Sequence, residues 1–104
     1  MNNDIKDIKD TIEKIKKLVN PAKLILFHRK VANNGLTMSF KICIITDSEN
    51  KFEIEKQIYN SVDSDIPFDV VLYTIDEWEK LKLNDNSFAN KILKRGKVIN
   101  GQTQ

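Results

Sequence analysis

Ile42-Cys43-Ile44-Ile45 and Val70-Val71-Leu72 are apolar at every position, and both runs are bounded by polar residues. A strand with one face in water alternates apolar and polar side chains. A strand that is apolar throughout has to be covered on both faces. Two such runs predict two central strands, Phe40–Thr46 and Phe68–Tyr73, in a small mixed sheet with helices packed against it. Lys23–Phe27 (KLILF) reads as a third strand preceding them.

The helices follow from spacing. Ile5, Ile8, Ile12, Ile15 and Leu18 recur at steps of three and four, which predicts an amphipathic helix over residues 1–20 with one buried stripe. Asn3 is the expected N-cap, Asp4 lies near the positive end of the dipole, and Asn20-Pro21 is the expected stop. The polar stretch after Phe27 is expected to hold a short helix, and Asn33-Asn34-Gly35 a turn. Lys51–Val62 reads as a helix that turns Phe52, Ile54, Ile58 and Val62 to the core, with Asp63-Ser64-Asp65 as its exit loop. Thr74 and Glu77 have capping-box spacing before a helix over Ile75–Leu81. Asp85-Asn86-Ser87 starts a last helix, packed through Phe88, Ile92 and Leu93, with Gly96 as a left-handed cap and Lys97–Asn100 as a short edge strand. The reading is a single α/β (α+β) domain over residues 1–104, without repeats or linkers.

Seventeen Lys and Arg against 15 Asp and Glu give a net charge of +2, so nucleic acid is not an expected partner. No apolar run approaches the roughly 20 residues of a membrane span, and the first residues lack the apolar stretch of a signal peptide; a cytoplasmic protein is expected. One cysteine excludes an intrachain disulfide, and with one histidine it argues against a structural zinc site. Cys43 reads as a buried, inert thiol and Trp78 as a core or rim anchor. The chain holds no P-loop, nucleophile elbow or dinucleotide fingerprint.

The order of elements, with the Phe68–Glu79 and Ser87–Ile99 patterns, resembles the minimal nucleotidyltransferase domains of the DNA-polymerase-beta-like superfamily over residues 22–100. The resemblance implies a nucleotidyltransferase-like fold. It also implies a Gly-Ser turn after the first strand, an Asp-x-Asp pair opening the second and a third Asp on its neighbour. Two magnesium ions held by those carboxylates would clamp the attacking and leaving oxygens. Here the turn reads His28-Arg29, the pair reads Ser39-Phe40-Lys41, and only Asp69 matches. A hydroxyl is a poor substitute for an anionic ligand, and an ammonium repels the metal. A one-residue slip would put Phe40 and Ile42 in the carboxylate positions, which is worse. Asp47 and Glu49 lie beyond the far end of the strand, with Asp47 roughly 20 Å from Lys41. No catalytic residues, metal or cofactor are therefore expected; magnesium, through Asp69, belongs only to the alternative in which the chain is active.

Two outcomes stand open for Lys41 and Asp69: a salt bridge or near contact in the place of a metal, or exposed charges that never meet. His28-Arg29-Lys30 reads either as a phosphate-binding turn that uses side-chain charge or as a solvated basic loop. Three functions compete. The first is a catalytically inactive, protein- or nucleotide-binding module, antitoxin-like or regulatory; intact relatives of this kind are encoded beside a small helical HEPN-type partner, so such a partner or self-association is expected. The second is an active or residually active metal-dependent nucleotidyltransferase. The third is a phosphate or nucleic-acid binder through His28, Arg29 and Lys30 with the basic tail Lys91, Lys94, Arg95 and Lys97.

Overall fold

Strands Lys23–Val31 (β1), Thr37–Thr46 (β2), Phe68–Thr74 (β3) and Lys97–Val98 (β4) form one mixed sheet of order β3-β2-β1-β4 in a computed structural model. The structure describes residues 3–98, with side chains from Lys6 onward, so the Asn3 cap, Asp4, Ile5 and the Ile99-Asn100 end of the last strand lie outside the described side chains or residues. β1 pairs antiparallel with β2 and with β4, and β2 pairs parallel with β3. Helices Asn3–Val19 (α1), Lys51–Ser61 (α2), Ile75–Leu81 (α3) and Phe88–Arg95 (α4) complete an α+β domain.

Alternation along β2 builds two cores. Phe40, Ile42 and Ile44 face α1 and α2, where they meet Ile8, Ile12, Ile15, Ile54 and Ile58. Cys43 and Ile45 face the other way, with Ile25, Trp78, Ala89 and Ile92. β2 is the doubly covered central strand that its composition predicts. β3 is not: it is an edge strand, and Val71, Leu72 and Tyr73 are only half-buried. β4 completes the sheet on the other side, pairing Val98 with Ile25 and Lys97 with Leu26. Side chains occupy part of the free β3 edge. The Val70 N–H donates to the Tyr59 hydroxyl (3.0 Å) and the Thr74 N–H to Glu77 Oε1 (2.8 Å), which blunts it as a template for a further strand.

The segment after Phe27 holds no helix. His28–Val31 continue β1 and Thr37–Ser39 extend β2, joined by a tight turn in which Gly35 N–H donates to Ala32 O (2.9 Å). Gly35 takes φ 87°, which accounts for the Asn-Asn-Gly signal. Polar composition suggests a turn and short helix, but a two-stranded ribbon projecting past its neighbours is largely solvated, Thr37 being an exception, and tolerates the same residues.

Helix phase explains the remaining departures. Phe52 is 84% exposed, because it sits two residues, about 200°, from the Ile54–Ile58 stripe. In α4 the buried residues are Ala89, Asn90 and Ile92, while Phe88 and Leu93 stay exposed. In α1 Val19 packs on the core and Leu18 lies largely outside. α1 stops at Val19, as Asn20-Pro21 predicts, with Asn20 in the left-handed region at φ 44°. Gly96 ends α4 in an extended conformation (φ −84°, ψ 168°), not the left-handed one.

The Thr74 capping box forms in full, and the Glu77 carboxylate also takes both of its oxygens to Lys51 Nζ (2.9 and 3.0 Å), tying α3 to α2. The Lys51 hydrogen bond, followed by the Thr74 N–H, holds the Glu77 carboxyl below its ordinary range. A lowered folded value stabilises the fold above the unfolded value, and the contribution is lost as pH falls through the folded one. Thr74→Ala is expected to cost about 1 kcal/mol in denaturant unfolding at neutral pH. Glu77→Gln should flatten the acid limb of a stability–pH profile without altering the limb above neutrality.

Candidate functional site

Three strands align the residues that the sequence singles out. His28 is the register partner of Lys41 across β1 and β2, and Lys41 is the partner of Asp69 across β2 and β3. Ser39 lies two residues before Lys41 on the same face, opposite Lys30. One irregularity makes this row. Leu26 pairs with Ile42 and His28 with Lys41, so Phe27 is an extra residue in β1. The bulge turns His28 onto the α4 side of the sheet beside Phe27.

His28, Arg29 and Lys30 thus occupy strand positions, not a turn, and strand alternation separates them. Arg29 stands opposite Phe40, and its Nε–H donates to Thr37 Oγ1 at 2.7 Å along the ribbon. His28 and Lys30 lie on the other side of β1.

Lys41 and Asp69 share a register position but make no ion pair; those of the described residues lie elsewhere. Their neighbours differ. Lys41 lines a cavity under α4. Asp69 lies at the β3 edge within electrostatic reach of Tyr59, whose phenol is pushed up chiefly by burial, with Asp69 and Glu55 adding to the effect.

Ser39, Lys41 and Asp69 therefore lie on one face of adjacent strands, as hydroxyl, ammonium and carboxylate, with no ion pair between Lys41 and Asp69. That donor set does not fit a magnesium pair, which wants several anionic oxygens. Among the described residues no group of three or more His, Cys, Asp or Glu is arranged to hold a metal ion. Cys43, next along the sheet, is fully buried, and burial pushes its thiol up to about 12, so it holds its proton.

The cavity beside this row has a volume of about 160 Å³ and is lined by Phe27, His28, Lys41, Phe88, Lys91, Ile92 and Arg95. α4 presents Phe88, Lys91, Ile92 and Arg95 at i, i+3, i+4 and i+7, a single stripe that alternates apolar and basic side chains. Phe27 and Phe88 meet edge to face, centroids 5.7 Å apart at 87°. The sequence groups Lys91 and Arg95, as part of a basic tail, with His28-Arg29-Lys30 and not with Lys41; His28, Lys91 and Arg95 do line one cavity, and Lys41 joins them. The stripe spacing was visible; that it would face Lys41 depended on the sheet order. A second cavity, lined by Asp7, Asp10, Asp63 and Asp65, has its own cation, because Lys14 Nζ reaches in to donate to Asp63 O (3.2 Å).

No protein-family model, curated protein or solved structure matches this chain. Among the described residues no helix is long and apolar enough to cross a membrane.

Proposed function

We propose that this chain is a nucleotidyltransferase-like domain that does not carry out nucleotidyl transfer and serves as a protein- or nucleotide-binding module, antitoxin-like or regulatory. The observation that carries the reading is the register of Lys41 against Asp69, with Ser39 two residues upstream. In-line transfer at phosphorus needs the attacking and leaving oxygens clamped by cations held on carboxylates. In this chain an exposed ammonium, Lys41, stands in that row, and one carboxylate remains. The β1–β2 ribbon also departs from the family pattern, because no helix start follows β1 to receive a triphosphate on its backbone N–H groups.

The α2–β3 side supports a protein-binding role. Phe52 is almost fully exposed beside Val70 and Leu72, with the Glu55 carboxylate on the rim. A HEPN-type helical partner or a second copy of the chain would cover it. With β3 N–H groups already bonded to Tyr59 and Glu77, such a partner docks through side chains and not as an added strand. A single buried thiol suits a reducing compartment, and the cytoplasm is the proposed location.

The test is incubation with magnesium and each labelled nucleoside triphosphate in turn, with and without candidate protein acceptors. No incorporation into acceptor or into the chain itself is expected. Magnesium-dependent incorporation that disappears in Asp69→Asn would overturn the reading.

A further inference from the structure

We propose that the cavity between β1, β2 and α4 binds the phosphate group of a phosphomonoester without a metal ion, through Lys41, Lys91, Arg95 and His28. The inference rests on the reading of the chain as a nucleotide-binding module, and gives that reading a site, a ligand class and two residues of α4.

The charge arrangement points to an anion. Three cationic side chains and the His28 imidazole converge on one cavity from three elements. The ion pairs of the described residues involve none of them. Lys91 and Arg95 have an ordinary reason to be near the end of α4, since cations there complement the helix dipole. Lys41 and His28 have no such reason. They arrive from the sheet, His28 through a bulge, and with the α4 stripe they line one solvent-open cavity. An oxyanion in the cavity would face all of them. Arg95 offers a planar fork suited to two phosphate oxygens, and the two lysines act as point charges.

Size and lining narrow the class. At about 160 Å³ the cavity is well below the roughly 300–1,000 Å³ of sites that enclose a whole drug-sized ligand. It takes a phosphoryl head, and the rest of the molecule stays outside. What lies at the mouth is the Phe88 ring, half exposed and braced edge-on by Phe27. An apolar or aromatic body attached to the phosphate would rest on that ring. A phosphomonoester with such a body fits better than free phosphate.

The experiment is amide-shift titration of the full chain with phenyl phosphate and, separately, inorganic phosphate, in chelator at fixed ionic strength. Shifts confined to residues 27–28, 41 and 88–95 are expected, with phenyl phosphate the tighter of the two. Lys91→Gln and Arg95→Gln should each weaken both about tenfold, the scale of one charge-assisted hydrogen bond. Phe88→Ala should weaken phenyl phosphate and leave inorganic phosphate unchanged. Lys80→Gln, on α3, should change neither. The proposal is overturned if no shift develops at millimolar ligand, or if Lys80→Gln weakens binding as much as Arg95→Gln does. Equal affinity for both ligands, unaltered by Phe88→Ala, would refute the phosphomonoester assignment and leave a site for free phosphate. Because the titration is metal-free, its result is independent of the transfer assay: incorporation of label would refute the non-catalytic reading while these shifts stood, and the reverse also holds.

Discussion

Trp78→Ala should lower the free energy of unfolding by about 3–5 kcal/mol, a large part of the roughly 5–15 kcal/mol available to a domain of this size. Trp78 is the largest fully buried side chain among the described residues and belongs to the α3–α4 core, its ring centroid 5.7 Å from that of Tyr73. α3 has only seven residues and is anchored through this one buried side chain, so its capping box cannot hold it against the sheet alone. The indole carries a liability: its Nε1–H is buried and has no acceptor among the described residues. An unpaired buried donor costs about 1–3 kcal/mol. Trp78→Phe deletes that donor while keeping most of the ring volume, so the two effects oppose each other, and the variant should lose far less than the alanine. Denaturant unfolding of wild type, Trp78→Phe and Trp78→Ala at one pH separates packing from polarity. If phenylalanine cost as much as alanine, the indole N–H would have to be satisfied and the packing account would be wrong.

The readable parts of this chain were those decided locally. Thr74 and Glu77 form the capping box their spacing predicts, Ser87 caps α4 by accepting from Asn90 N–H, and Asn33-Asn34-Gly35 turns a hairpin. Each depends on atoms within a few residues. What sequence could not supply was strand order. Val70-Val71-Leu72 has the composition of a central strand, yet β3 stands at an edge, because burial by half-covering helices and by a neighbouring strand leaves the same apolar mark. The candidate site shows the same division. Ser39, Lys41 and Asp69 are legible as a pattern, and parallel pairing of β2 with β3 puts Lys41 and Asp69 in register without an ion pair between them. That His28 joins Lys41 at the α4 cavity follows from the bulge at Phe27 and the phase of an eight-residue helix, and neither has a sequence signature strong enough to read in isolation. Gly96 is required not for its backbone angle but for its missing side chain.

That distinction yields a prediction with a built-in control. Gly96→Ala should destabilise by about 1–3 kcal/mol through overpacking, although its φ of −84° is open to any residue. A Cβ there would collide with Ile25 Cγ2 on β1 and lie 2.7 Å from the Ile92 carbonyl oxygen that accepts the Gly96 N–H. Gly35 is the converse case: its φ of 87° disfavours a side chain, and a Cβ would meet nothing within 4 Å. Gly35→Ala should therefore cost about 1–2 kcal/mol and Gly35→Asn less, because asparagine tolerates the left-handed region. Gly96→Asn should be no better than Gly96→Ala, since crowding is indifferent to backbone angle. Ile25→Ala removes the colliding methyl, so in a double-mutant cycle it should offset part of the Gly96→Ala cost; the Ile92 carbonyl does not move, so the offset stays partial. The same crowding pushes the last turn of α4 away from β1 and carries Arg95 with it, away from His28 and Lys41. Gly96→Ala should then weaken phenyl phosphate as well as stability, whereas Gly35→Ala, at the far end of the ribbon, should lower stability and leave the affinity unchanged. Equal affinities in the two variants would show that the position of α4 does not set the geometry of the basic cavity.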